Sequence, residues 1–282
     1  MKTSAYYNTK NILINTLIHV FLISVAITCL YPLIWMIVSS LKTQDTIFKD
    51  ISLIPRQFHF ENYVQAWREG GFGRNFLNSI FYTTSVVFGI IIVSSMAAYA
   101  FSRLRFPGRN VFFYMFIAAM MIPIPGSFVA LYVLLNKLGL RNTPFGYILC
   151  MINVGLSQSI FMLKTFFDRM PKELEDAARI DGCTKLGIWW HVALPLSKPV
   201  LAVVVVLNAL AVWNEYVLAL IIFDSRSLMP LQVALTTFQG EFVTNYPLLM
   251  AGLTIAALPI IIIYLCMQKY IVKGVMQGAV VG

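Results

Sequence analysis

Charge is scarce in this chain of 282 residues. Lys, Arg, Asp and Glu make up 12% of it, against about 25% in soluble globular domains. Hydrophobic residues make up 59%. No soluble core could hide that much apolar surface, so the natural solvent is a bilayer. Cysteine pairing is also lacking. Cys29, Cys150 and Cys266 fall in apolar runs, Cys183 falls in a polar stretch, and no two have CxxC spacing. Neither a disulfide nor a metal site is expected. His19, His59 and His191 match no ligand spacing such as HExxH and read as structural. The chain has no G-x-x-x-x-G-K-[ST] phosphate loop, and the GGFG at 70–73 is too short to serve as one. Hydrolysis of ATP by this chain, and a cofactor of its own, are therefore not expected.

What the sequence does have is long apolar runs. Six qualify as spans, at 14–40, 76–101, 111–135, 145–163, 200–223 and 248–267, since about 20 apolar residues cross a bilayer. They predict an all-α membrane protein with six transmembrane helices and one membrane domain over 1–282. The net charge of +9 fits Lys and Arg marking inner loops better than it fits nucleic-acid binding. The loop after the second run holds Arg103, Arg105 and Arg109 and no acid. Counted by side, this arrangement puts 13 Lys/Arg inside and 8 outside. Both termini are accordingly expected in the cytoplasm. Proline interrupts the first run at Pro32, and Pro123, Pro125 and Gly126 interrupt the third. Such breaks mark either a cavity wall or a packing kink.

The polar island at 164–199 stands apart. It carries six Lys/Arg and five Asp/Glu of the 33 in the chain. Pro171 suits a first helical turn. Leu174, Ala177 and Ala178 share a face at i, i+3, i+4 spacing, and Glu175 with Arg179 makes an i,i+4 pair. Gly182 stands where a helix C-cap needs positive φ. Thr184 is placed to cap a second helix running to about Ala193, which Leu194-Pro195 ends. The reading is helix, glycine turn, helix. Physics alone leaves connector and docking surface about equal.

The run D-A-A-x3-G-x9-V-x-L-P, at Asp176, Ala177, Ala178, Gly182, Val192, Leu194 and Pro195, resembles the EAA loop of binding-protein-dependent ABC importer permeases. Asp and Val stand where that pattern has Glu and Ile, with the spacing kept. The stretches ENYVQAW, FLNSI, AYAFSRLRFPG, LGLRNTPFGYIL, AVWNEY and GVMQGAVVG resemble its maltose-type carbohydrate subgroup. The resemblance implies a MetI-like permease core whose EAA loop is a coupling helix. Carried over by position, Glu175, Asp176, Ala177, Ala178, Asp181, Gly182, Leu194 and Pro195 would couple to a cytoplasmic ATPase. The implied partners are a second permease, two copies of that ATPase, which would bind ATP and Mg, and an extracellular solute-binding protein. The loop at 224–246 would meet the binding protein.

Candidates for a substrate pathway are the polar residues at membrane depth. Asn153 and Gln158, with Ser157 and Ser159, lie in the fourth run, and Trp213, Asn214 and Glu215 lie in the fifth. Each marks either a helix–helix hydrogen bond or a pathway. Glu215 is the one ionisable residue deep in a run, and it reads as a structural anchor or as a coupling group. A stand-alone secondary transporter is the alternative function. It would favour more intramembrane charges and an internal repeat.

Overall fold

The computed structural model describes residues 2–50, 52–121, 127–240 and 244–279. Helix dominates them. Their one piece of β pairing is an isolated antiparallel bridge between Gln239 and Thr244. The chain divides into two compact units, residues 1–70 with 237–255, and residues 71–236 with 256–282.

The first unit holds α1 (Lys2–Ser39), α2 (Glu61–Glu69) and the start of the last helix. In the apolar part of α1, residues 14–34 are all exposed, and burial is reached only at Ser39. Its polar side chains turn inward on the helix itself. Thr16, Ser24 and Thr28 each donate to the carbonyl four residues back, and His19 Nδ1 lies 2.7 Å from the Asn15 carbonyl. The end of α1 is closed by the ENYVQAW stretch. Asn62 Nδ2 donates to the Ser40 and Lys42 carbonyls at 2.8 and 3.0 Å. Ser40 Oγ and Tyr63 Oη are 2.6 Å apart. Lys42 is buried because its ammonium donates to the backbone carbonyls of Asp50 and Ser52. Phe58, Phe60 and Trp67 stay exposed, as interfacial aromatics would.

The second unit is built on two long helices, α3 (Phe72–Arg103) and α6 (Pro144–Arg169). At 1.5 Å per residue they reach about 48 and 39 Å, more than a hydrocarbon core of about 30 Å. Their ends therefore extend past the apolar layer. The packing between them rests on two reciprocal small-residue contacts. A Cβ at Gly89 would meet Ile152 Cδ1 at 2.5 Å, and one at Gly155 would meet Ile90 Cδ1 at 2.5 Å. Each glycine is thus the hole for an isoleucine on the facing helix, which suits association in lipid. Asn208 of α9 (Lys198–Trp213) fills the same spot, 2.1 Å from that imaginary Cβ of Gly155. Its amide donates to Ser159 Oγ at 3.0 Å and to the Val204 carbonyl at 2.8 Å.

At the opposite end of the unit from Arg103, α3 carries a polar stripe at i, i+3, i+4 and i+7. Asn75 and Asn78 donate to the Met229 carbonyl, each at 3.0 Å, and Tyr82 Oη donates to the Leu228 carbonyl at 2.7 Å. Ser79 Oγ accepts from Leu231 N at 2.8 Å. The stripe holds the irregular segment 225–231 by its backbone. Asn142, with φ of 57°, does the same work one connection away. Its Oδ1 accepts from Asp224 N and Ser225 N at 3.1 Å each. The short polar side chain of Asn tolerates that left-handed conformation.

Among the described residues, four helices are long and apolar enough to cross a membrane, at Ile14–Ser39, Phe72–Arg103, Pro144–Arg169 and Tyr246–Lys269. A fifth span arises if the bent pair at Lys185–Leu196 and Lys198–Trp213 counts as one. The third expected span is seen as two shorter helices, α4 (Arg109–Met121) and α5 (Ser127–Lys137). The expected interruption at Pro123, Pro125 and Gly126 lies outside the described residues. The fifth expected run is not continuous. α9 stops at Trp213, and α10 (Val217–Ile222) starts after an unwound Asn214–Glu215–Tyr216.

The glycine contacts carry a ranking. Gly155→Ala drives a methyl into the oxygen of an amide whose nitrogen is held by two hydrogen bonds, whereas Gly89→Ala meets the free end of one isoleucine. Overpacking costs about 1–3 kcal/mol, and Gly155→Ala is expected at the upper end and Gly89→Ala at the lower. Thermal stability in detergent, read by size-exclusion chromatography after heating, checks the order. Adding Asn208→Ala to Gly155→Ala is expected to restore part of the loss.

Candidate functional site

The polar island forms the expected helix–turn–helix. Its first helix, α7 (Glu173–Ile180), carries Glu173, Glu175 and Asp176 in its first turn, where they favour the positive end of the helix dipole. Pro171 lies just before this turn rather than in it. The C-terminus is a Schellman cap. Cys183 N donates to the Ala178 carbonyl at 2.9 Å and Gly182 N to the Arg179 carbonyl at 3.0 Å. Gly182 has φ of 83°, and nothing lies within 4 Å of where its Cβ would be. Glycine is required there by the backbone, not by crowding. Thr184 then caps α8 (Lys185–Leu196), accepting from Gly187 N at 3.2 Å. α8 passes through a π turn at Trp189–Ala193 and runs on to Leu196. Leu194-Pro195 thus lies within its last turn. A bend of 79° at Ser197 leads into α9. His191 Nδ1 lies 3.1 Å from the Gly187 carbonyl, which makes it part of this helix's own bonding.

Glu175 faces its own chain. Its Oε1 lies 2.8 Å from Arg103 Nε, and the two side chains are 5% and 7% exposed. Arg103 also donates to the Phe167 carbonyl at 2.5 Å and to the Met170 carbonyl. One guanidinium therefore joins the last turn of α3, the C-terminal carbonyls of α6 and the first turn of α7. Each partner suits a cation, the carboxylate by charge and the helix end by its dipole. The expected Glu175–Arg179 pair is looser, at 4.0 Å, and Arg179 sits closer to Asp176 at 3.1 Å. Beside this node Asp168 Oδ1 accepts from Ser102 Oγ and its Oδ2 from Lys164 Nζ, each at 2.7 Å.

The opposite face of α7 is open. Leu174, Asp176, Ala177, Ile180, Asp181 and Gly182 are exposed, Ile180 at 88%. Ala178 is buried with Glu175, so the expected Leu174–Ala177–Ala178 face is split between outside and inside. Leu186 and Trp190 continue the exposed apolar surface along α8. Leu194 is half-buried and Pro195 exposed.

The candidate pathway residues fall into two groups. Asn153 and Gln158 are exposed on α6. Trp213, Asn214 and Glu215 gather at the break between α9 and α10. Trp213 is buried and donates from Nε1 to the Ala256 carbonyl at 2.9 Å. Asn214 is exposed, and its Oδ1 accepts from Gln232 at 3.2 Å. Glu215 Oε1 accepts from Leu218 N at 2.6 Å and so caps the short helix that follows. No hydrogen bond or ion pair joins the two groups among the described residues.

The model of the family described as "Binding-protein-dependent transport system inner membrane component" matches residues 89–277. The chain belongs to this family. It is 37% identical, over 95% of its length and 89% of the relative's, to the probable ABC transporter permease protein YurM of Bacillus subtilis. It is 32% identical, over 92% of its length and 93% of the relative's, to the arabinooligosaccharides transport system permease protein AraQ of Halalkalibacterium halodurans. One chain of the crystal structure of a bacterial ABC transporter involved in the import of the acidic polysaccharide alginate superposes with a TM-score of 0.81. It shares 26% identity, with 92% of this chain and 96% of that one covered. The protein is thus an ABC importer permease, a multi-pass component of the bacterial plasma membrane.

Two features of this permease escaped the sequence reading. The positive-inside pattern makes Arg103 an inner-loop charge, whereas in the structure it is the buried ion-pair partner of Glu175 on α7. Asn208 was read as part of an apolar run, although it joins α9 to α6. Each had a signal in its pattern. Arg103 lies two residues past the end of the apolar run at 76–101, and Asn208 is a lone amide in a run rich in valine.

Breaking a buried ion pair by removing one partner costs about 3–5 kcal/mol, because the other charge stays buried. Glu175→Gln is therefore expected to release α7, while Glu175→Met with Arg103→Met loses less than either single change. Limited proteolysis of the 170–185 segment in detergent checks this, with faster cleavage expected for the single variants.

Proposed function

We propose that this permease imports a carbohydrate, an oligosaccharide in particular, by alternating access driven from a separate ATPase. One relative is named for arabinooligosaccharides and the solved transporter for the polysaccharide alginate, another relative being named for sulfoquinovosyl glycerol, and all three align over nine-tenths or more of the chain. The full assembly is this chain, a homologous second permease, two cytoplasmic ATPase copies that hold ATP and Mg, and an extracellular solute-binding protein. This chain crosses the membrane six times with both termini inside, the third crossing being α4 and α5 together. The exposed apolar stretch of α1 at 14–34 suits lipid and the second permease.

The observation that carries the coupling role is the division of α7 into two faces. Glu175 ties the helix to Arg103 of α3 and through it to the end of α6, and Ala178 is buried beside it on the inward face. Leu174, Asp176, Ala177, Ile180 and Asp181 are left to enter a groove on the ATPase, with Gly182 turning the chain and Leu194-Pro195 leading to the bend before α9. Closure of the ATPase dimer on ATP would pull α7. The Arg103 node would pass the pull to two spans at once, and the bend would pass it to α9. The pore then switches between two states that ATP and the loaded binding protein both bias. Asn153, Gln158, Asn214 and Glu215 supply amides and a carboxylate for a sugar path. The unwound Asn214–Tyr216 segment offers backbone polar groups at membrane depth, as broken helices at transport sites do. The segment at 224–246 is the contact for the binding protein.

Affinity purification in mild detergent tests the assembly. Recovery of an ATPase and a second permease is expected, and recovery of the chain alone would favour a stand-alone transporter. For coupling, Ile180→Asp and Gly182→Leu are expected to reduce co-purification of the ATPase, or to leave ATP hydrolysis unlinked to uptake. Both follow from placing charge, or a strained backbone, on the exposed side of the loop. Unchanged uptake in vesicles by both variants would contradict the docking role.

A further inference from the structure

A cleft of about 610 Å³ opens between the loop after α3 and the helix–turn–helix. Six cations line it, at Arg103, Arg105, Arg109, Lys172, Arg179 and Lys185, against two acids, Glu175 and Asp176. The acids are already engaged. Glu175 is held by Arg103 and Asp176 by Arg179. Arg105, Arg109, Lys172 and Lys185 have no carboxylate at ion-pair distance among the described residues. Arg109 turns part of its guanidinium to the Leu104 carbonyl at 3.3 Å. Four uncompensated positive charges around one concavity repel one another, and an anion seated among them relieves that repulsion.

The surroundings say which anion. The cleft begins one residue before the end of α3, and that helix exceeds the hydrocarbon thickness. Phe106 in the same loop and Trp190 on α8 are exposed, in keeping with the headgroup level of a membrane. We propose that the cleft binds the phosphate of an anionic phospholipid of the inner leaflet, which then bridges the loop at 104–109 to Lys172 and Lys185. This rests on the reading that the loop is cytoplasmic. A basic pocket at span ends is a recognised form of anionic headgroup site. The lipid would thereby contact both sides of the node that holds α7 and would favour the docked arrangement.

Native mass spectrometry of the full chain in detergent, with phosphatidylglycerol or phosphatidylcholine added, reads the binding without needing the ATPase. Phosphatidylglycerol adducts are expected to be retained and phosphatidylcholine adducts lost. Each Lys or Arg near an anionic surface is worth about a fivefold gain in affinity. Arg105→Gln with Arg109→Gln is therefore expected to weaken phosphatidylglycerol binding roughly 25-fold. Arg105→Lys with Arg109→Lys, which keeps the charge, is expected to retain most of it. Equal binding of the two lipids, or equal loss in the Gln and Lys variants, would overturn the proposal. Displacement of the lipid by excess inorganic phosphate would assign the site to free phosphate instead and overturn the lipid assignment. If the Gln variant loses the ATPase while its lipid adducts are unchanged, the cleft is a protein interface and the proposal fails. Failure to recover an ATPase in the affinity purification would instead sink the importer assembly and leave the lipid site standing.

Discussion

A guanidinium and a carboxylate buried together cannot part without leaving a charge in a poorly solvated place. Arg103 and Glu175 are in that position. The cost of separating them fixes the first turn of α7 to the last turn of α3, and the carbonyls of Phe167 and Met170 bring in the end of α6. A polar stretch between two spans would otherwise be a tether. This pair makes it a lever, because α7 has to move when the two longest helices of its unit move.

The lever is useful only if those helices are themselves stiff. The reciprocal contacts of Gly89 with Ile152 and Gly155 with Ile90 bring α3 and α6 close enough for dense packing, and dense packing transmits displacement instead of absorbing it. Asn208 carries the contact on to α9 with a buried hydrogen bond to Ser159. The chain is discontinuous at the bend of 79° before α9 and at the unwound residues after Trp213. Rigid segments joined at such points rotate more readily than they deform.

Much of this was legible in the sequence, and the reasons differ by element. The helix–turn–helix could be read because its signals are local. Gly182 permits positive φ, Thr184 caps, and both act within a few residues. Membership in the permease family could be read because the D-A-A-x3-G-x9-V-x-L-P spacing is specific. The inward face of α7 was hidden because an acid on a helix turns inward only if a distant cation meets it, and periodicity says nothing of Arg103. The break after Trp213 was hidden because three polar residues do little to the average of a strongly apolar run.

The central claim is that α7 travels with the end of α3 as one body. Spin labels at Phe106 and Glu173, both exposed positions, bracket the Arg103–Glu175 pair. Pulsed electron–electron distance measurement on the assembled transporter, with and without ATP, tests the claim most directly. The account predicts the same narrow distance distribution in both states. A shift of several ångströms on ATP binding would contradict it, since α7 would then be moving independently of α3.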